Sequence, residues 1–148
     1  MSKLRCRELT TTIEKKGVIN MNEDSLKHGA FGWHELMTTD VEAAKAFYSK
    51  LFGWEMVEYP MDVGTYWGLK VNGDEVGGMM NMTPEMSGMP PVWGIYITVD
   101  DVDQTARQVE SLGGKIMRPP SDIPDVGRFC VFADPQGAVI QAITYVQK

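Results

Sequence analysis

The 148-residue chain is poor in cysteine and histidine and has no long apolar run. Its two cysteines, Cys6 and Cys130, lie far apart, one in a polar lead and one in the apolar run GRFCVFAD. That spacing offers neither a zinc site nor a disulfide framework, and it fits a reducing, cytoplasmic home with Cys130 as a buried, inert thiol. No segment near the N-terminus reads as a signal peptide, and nowhere do about 18 apolar residues run together, so a soluble protein without a membrane span is expected. Basic charge is scarce as well: 14 Lys and Arg face 20 Asp and Glu, for a formal net charge of −6. Lys3, Arg5, Arg7, Lys15 and Lys16 make only the first 20 residues basic, so the remainder is more acidic than the whole. An acidic body lacks the face that nucleic-acid phosphates require, which excludes nucleic acid as a partner.

What is there suffices for one domain with a sizeable core, at 43% hydrophobic and 23% charged residues. Residues 1–28 are polar and without period, and read as a tail holding at most a short turn. Met21 is a candidate natural start, because the patterned sequence begins soon after it.

That pattern occurs twice. Residues 31–56, FGWHELMTTDVEAAKAFYSKLFGWEM, align with residues 92–117, VWGIYITVDDVDQTARQVESLGGKIM, at an offset of 61. The match pairs Leu36 with Ile97, Asp40 with Asp101, Val41 with Val102, Leu51 with Leu112 and Gly53 with Gly114. In each copy a strand leads to an aspartate placed to cap a helix, and glycine ends that helix. Val41, Ala44, Phe47, Tyr48 and Leu51 carry the helical period in the first copy, and Val102, Ala106, Val109 and Leu112 in the second. Turn signals at Asn72-Gly73 and at Asp134-Pro135-Gln136-Gly137 then separate two strand-like runs, a hairpin after each helix. The unit is β-α-β-β-β, used twice.

The strand, Asp40, the helix ending AFYSKLFGW, the glycine-punctuated hairpin, and then VDDVD, GGK, GRF and ADPQGA resemble the vicinal oxygen chelate superfamily over about residues 29–146. That superfamily includes glyoxalase I, bleomycin- and fosfomycin-resistance proteins and extradiol dioxygenases. The resemblance implies an α+β fold: two tandem βαβββ modules, residues 29–81 and 92–146 around a linker at 82–91, whose curved mixed sheets form a cup with helices outside. It implies a small-molecule ligand and a homodimer, cups in the family often being completed between chains. It does not imply one activity, since enzymes and pure binders share the scaffold.

Period two assigns the faces of the first strand: His34, Leu36 and Thr38 toward the helix, Trp33, Glu35 and Met37 toward the cup. The connector NMTPEMSGMPP, with Met79 and Met80 just before it, is rich in methionine, suited to packing on a neighbouring module or subunit or to an adaptable ligand wall. The segment RPPSDIPDVG, residues 118–127, reads as a surface loop at the mouth of the cup, with a lid as the alternative.

In metal-dependent members of the resembled family, His and Glu ligands come from the first and last strands of each module. Carried onto this chain, those positions fall on Trp33 and Gly94, and near Gly77 and on Gln141. Tryptophan and glycine offer no ligand and an isolated amide is a weak one, so no metal and no other cofactor is expected, with a divalent ion on a different ligand set left open. His34 turns away from the cup, and His28 precedes the first strand in the polar lead.

What remains to line the cup is Trp33, Met37, Trp67, Met79, Tyr96 and Phe129, with Glu35, Thr98 and Gln141 as polar points, a composition common in small-molecule sites. Glu35 and Tyr96 are equivalent in the two copies, and the pseudo-twofold axis would bring them together. Glu35 then either pairs for structure, orients a polar ligand, or acts as a general base. The leading expectation is metal-free binding of a small organic molecule. The runner-up is a small lyase, isomerase or dioxygenase-type enzyme, either metal-dependent through non-standard ligands or metal-free with Glu35 as base.

Overall fold

The computed structural model describes residues 20–62 and 64–147. A short 3-10 turn, Glu23–Leu26, leads into β1, Phe31–Thr38, α1, Val41–Phe52, and the strands β2, Glu55–Pro60, β3, Thr65–Val71, and β4, Asp74–Asn81. A connector holds a second 3-10 turn, Pro84–Met86. The order then repeats as β5, Val92–Thr98, α2, Val102–Ser111, β6, Lys115–Ile123, β7, Gly127–Ala133, and β8, Val139–Tyr145. The chain is α+β and built from two βαβββ modules.

Local chemistry explains where these elements begin and end. Asp40 accepts from the Ala43 N–H and Asp101 from the Gln104 N–H, each at 3.0 Å, satisfying amides that a helix start leaves unpaired. Asn72 and Gly73 both take positive φ, 51° and 86°, the two-residue turn whose twist matches the flanking strands. In the other hairpin Asp134 accepts from the Gln136 and Ala138 amides at 3.0 Å.

The modules contribute the strand orders β2-β3-β4-β1 and β5-β8-β7-β6, joined edge to edge where β1 runs antiparallel to β5. The result is one eight-stranded mixed sheet, curved and open. Its outer face packs Leu36, Leu69 and Met79 with Val41 of α1, and Val99, Cys130 and Ala142 with Val102 and Ala106 of α2. Burying Leu69, Met79 or Val102, each at most 2% exposed, stabilises the fold by about 1.5–3 kcal/mol per side chain. The inner face carries a third cluster of Trp33, Tyr96, Phe129 and Ile143.

Two segments differ from the reading of the sequence. Residues 118–123, expected as loop or lid, continue β6 despite Pro119 and Pro120. β6 is an edge strand, where a missing N–H costs no ladder bond, and its pairing with β7 slips on both sides of Arg118. Residues 20–28, expected within a polar tail, are docked onto the sheet. The Gly29 N–H donates to the Thr98 carbonyl at 2.7 Å, the Glu75 N–H to the Asn20 carbonyl at 2.9 Å, and the Asn20 N–H to the Glu75 carboxylate at 2.6 Å. Cys6 and the rest of residues 1–19 lie outside the described residues.

Candidate functional site

The inner face is organised around Glu35. Strand alternation on β1 turns it inward beside Trp33, and each of its oxygens accepts from a tyrosine belonging to a different module. Tyr66 of β3 donates to Oε2 at 2.9 Å, and Tyr96 of β5 to Oε1 at 3.2 Å. The Trp33 indole N–H donates in turn to the Tyr66 hydroxyl at 2.8 Å, so the chain of donors ends on the carboxylate. Among the described residues no basic side chain lies within ion-pair distance of Glu35.

Two effects compete on the Glu35 carboxyl. Burial raises its pKa above the ordinary value, and the two tyrosine hydrogen bonds pull it down; burial wins. The same burial, with the Glu35 charge adding to it, pushes the Tyr66 and Tyr96 hydroxyls up, so both stay protonated and serve as donors. The group so formed is a carboxylate held in place, partly open to solvent, with more proton affinity than a surface glutamate.

Two glycines make room for it. A Cβ at Gly78, the partner of Glu35 on β4, would overlap the Tyr66 hydroxyl and ring, so the ring can lie over the sheet only because the side chain is missing. At Gly94, the partner of Glu35 on β5, a Cβ would stand 2.5 Å from the Gln141 amide nitrogen. Gln141 therefore extends over Gly94 on the inner face.

Of the residues expected in the cup, Trp33, Glu35, Tyr96, Phe129 and Gln141 come together on the inner face, with the Tyr96 and Phe129 ring centroids 6.2 Å apart. Met37 shares the face of Glu35 further along β1, paired with Met80 and Val92. Thr98 is on that face, but its hydroxyl donates to the Ser25 carbonyl at 2.5 Å under the docked N-terminal segment, so it is no ligand contact. Met79 and Trp67 are corrections. Both belong to the outer cluster beneath α1, Met79 fully buried and Trp67 under the Lys45 ammonium 3.1 Å from its ring centroid. A bulge accounts for Met79, and Trp67 lies directly opposite it on β3. β4 leaves Val76 unpaired between Glu75, opposite Lys70, and Gly77, opposite Leu69, so faces beyond it do not follow simple alternation from Glu75.

The sequence reading passed over Tyr66, Arg118, Tyr145 and the pair Glu75–Tyr59. The Gly77-Gly78 doublet within a strand was the available signal for Tyr66, since it marks close approach over the sheet. Glu75 is 2% exposed, accepts from the Tyr59 hydroxyl and from the Asn20 amide, and anchors the N-terminal segment. The Tyr145 hydroxyl is buried with no hydrogen-bond partner among the described residues.

The resemblance sets metal-ligand positions at Trp33, Gly94, Gly77 and Gln141, and tryptophan and glycine supply no ligand atom from a side chain there. Trp33 is packed in the aromatic cluster, the Gly94 position is filled by the Gln141 amide, and Gly77 lies against the His34 backbone. Among the described residues no three His, Cys, Asp or Glu side chains converge. His34 is exposed on the other face, with Nδ1 2.9 Å from the Val76 carbonyl. The methionine-rich connector lines a separate shallow cleft of about 380 Å³, with Met82, Met86 and Met89, that shares no residue with the Glu35 site.

Comparison with known proteins places this geometry. The profile of the Glyoxalase/Bleomycin resistance protein/Dioxygenase superfamily matches residues 30–142. A protein of Mycobacterium tuberculosis provisionally named glyoxylase CFP32 is 42% identical over 117 residues, covering 77% of this chain and 45% of the relative. The anthracycline biosynthesis protein DnrV of Streptomyces peucetius is 36% identical over 124 residues, covering 74% of this chain and 45% of the relative. The chain thus spans less than half the length of these relatives. A Streptomyces coelicolor methylmalonyl-CoA epimerase in complex with 2-nitronate-propionyl-CoA superimposes with a TM-score of 0.63 at 16% identity, covering 81% of this chain and 96% of the other, a likeness of fold alone. The chain belongs to the glyoxalase/bleomycin resistance protein/dioxygenase superfamily, and its two modules have the vicinal oxygen chelate fold.

Proposed function

We propose that the inner face binds a small organic molecule with an aromatic or otherwise apolar body, through a hydroxyl group that donates to Glu35, and that this binding needs no metal. The observation that carries the reading is the Glu35 carboxylate held by one tyrosine from each module, with no cation within ion-pair distance among the described residues. Burial disfavours the charged carboxylate, and the two tyrosine donors offset only part of that. An apolar pair would serve structure at less cost, so the carboxylate is kept for what it does toward the open side of the cup. The name of the Streptomyces peucetius relative supports an aromatic ligand, because anthracyclines are planar polycyclic compounds.

The test is calorimetric titration with hydroxylated anthraquinones, with and without EDTA. Micromolar binding that survives chelation and weakens at least tenfold in Glu35→Gln is the expected result. Binding abolished by EDTA, or indifferent to Glu35→Gln, would sink the reading.

A second reading is catalytic, and the raised Glu35 carboxyl favours it. Glu35 takes a proton from carbon between a carbonyl and a carbon–carbon double bond of the bound molecule, the electron pair moves onto the carbonyl oxygen, and Glu35 returns the proton to the far carbon of the resulting dienolate, which shifts the double bond into conjugation and restores the carbonyl. Protein-dependent deuterium uptake at that carbon in D2O, lost in Glu35→Gln, tests it. No exchange above the buffer rate removes it.

The chain also acts as a homodimer in this reading. Phe47, Leu51 and Phe52 of α1, 57–58% exposed, continue through Trp93 across the uncovered outer face of β5. With Ile95 they expose on the order of 500 Å² of apolar surface, near the upper end for a monomer and a large part of the ~800 Å² each partner buries in a standard interface. The buried, unpaired Cys130 supports a reducing, cytoplasmic home.

A further inference from the structure

The inner face carries a solvent-exposed cation, Arg118, with no carboxylate partner among the described residues. Arg118 of β6 stands directly opposite Val131, Val131 opposite Gln141, Gln141 opposite Tyr96, and Tyr96 opposite Trp33. Directly paired residues point to the same side of a sheet, so Arg118 ends a row that begins beside Glu35. Its guanidinium lies 5.0 Å from the centroid of the Phe129 ring, the ring that also contacts Tyr96.

The backbone is bent around this position. The pairing of β6 with β7 shifts between Ile116 and Arg118 and again between Arg118 and Ser121, across Pro119-Pro120. Bulges of this kind re-aim a side chain. The neighbouring cation, Arg128, is held by Asp103 at 2.9 and 3.1 Å and by Asp122 at 3.1 Å. Arg118 has no carboxylate within ion-pair distance among the described residues, although the chain carries a net charge of −6. An arginine over an aromatic ring, with its planar donor fork free, is suited to a carboxylate.

The distance between the two ends of the row sets the shape of what fits. From β1 to β6 is four strand spacings, about 19 Å along the sheet. Curvature and the reach of the arginine side chain shorten the gap to on the order of 10 Å, two or three fused rings. Between the ends lie Tyr96, Phe129 and the Gln141 amide over Gly94. Building on the reading of the inner face as a ligand site, we propose that Arg118 is its anion-recognising residue. The ligand is then an elongated, largely planar aromatic compound with a carboxylate at the end remote from Glu35.

6-Hydroxyanthraquinone-2-carboxylate and its uncharged amide, 6-hydroxyanthraquinone-2-carboxamide, are the probes. Calorimetry on the full chain compares wild type with Arg118→Met, Arg118→Gln, Arg118→Lys and Glu35→Gln. Wild type is expected to prefer the carboxylate about tenfold. The preference disappears in Arg118→Met and Arg118→Gln, returns in part in Arg118→Lys, and persists in Glu35→Gln even as both affinities fall. Added salt narrows it in wild type. Equal affinities of the two probes for wild type overturn the assignment of Arg118 and leave the cup reading standing. So does a preference that survives either neutral substitution in a cooperatively folded variant. Failure of both probes to bind wild type overturns the two readings together.

Discussion

At the scale of single residues, the site is a contest between burial and hydrogen bonding at Glu35, and each side can be tested. Burial raises the Glu35 pKa in the folded chain above its unfolded value, so between those two values the unfolded state binds fewer protons. The Glu35 contribution to stability is therefore fully present below about pH 4.5, is lost as pH climbs through the raised folded value, and then levels off. Urea midpoints at about pH 5 and about pH 8 should show this decline in wild type, superimposed on other titrations, and a smaller decline in Glu35→Gln. A variant whose pH dependence matches wild type would show that the carboxyl is not perturbed. Gly78→Ala tests the other side. The added Cβ displaces Tyr66 from Glu35, with an expected loss of about 1–3 kcal/mol in urea unfolding and weaker anthraquinone binding. Glu35 and Tyr96 were legible because period two and the internal repeat place both on the inner face. Tyr66 was not, since its contact crosses two strands and depends on a side chain absent at Gly78.

At the scale of elements, the helices follow sequence closely and the strand ends do not. Both cap aspartates, the Gly53 stop and both hairpin turns are short-range devices, and all occur where the sequence placed them. The edge strand β6 and the bulge at Val76 arise from pairing partners about ten residues away, with the proline pair tolerated because β6 has a free edge. The docked segment at residues 20–30 is a third such case, held through Glu75 and Thr98. Glu75→Leu leaves the Tyr59 hydroxyl and the Asn20 amide without their acceptor, an expected cost of about 1–3 kcal/mol for each unmet donor. Hydrogen exchange reads the effect locally. The amides of Gly29 and Thr98 should exchange faster in the variant than those of α2, and uniform acceleration would instead mean global destabilisation.

At the scale of the whole molecule, the two modules share one sheet, and the site exists only where they meet. Glu35 comes from one and Tyr96 from the other, across the β1–β5 seam. Neither module alone presents the paired donors. The same seam leaves its outer side partly bare between α1 and α2, where Trp93 and Ile95 stand exposed. Leu51→Glu combined with Phe52→Glu puts two charges on that patch without touching the inner face. Light scattering should then change from a dimer mass to a monomer mass, while anthraquinone binding is kept. A wild-type mass equal to the single chain would remove the dimer.

The sequence by itself determined the repeat, the caps, the turns and the inward period of β1, because each rests on interactions within a few residues or on the alternation of one strand. Only the tertiary structure decided which donors reach Glu35, that Met79 and Trp67 lie on the outer face, and that Arg118 hangs unpaired over Phe129. The physical reason is the same in each case. A side chain's face and partners depend on register, a register shift of one residue reverses a face, and bulges that make such shifts form between strands rather than within them.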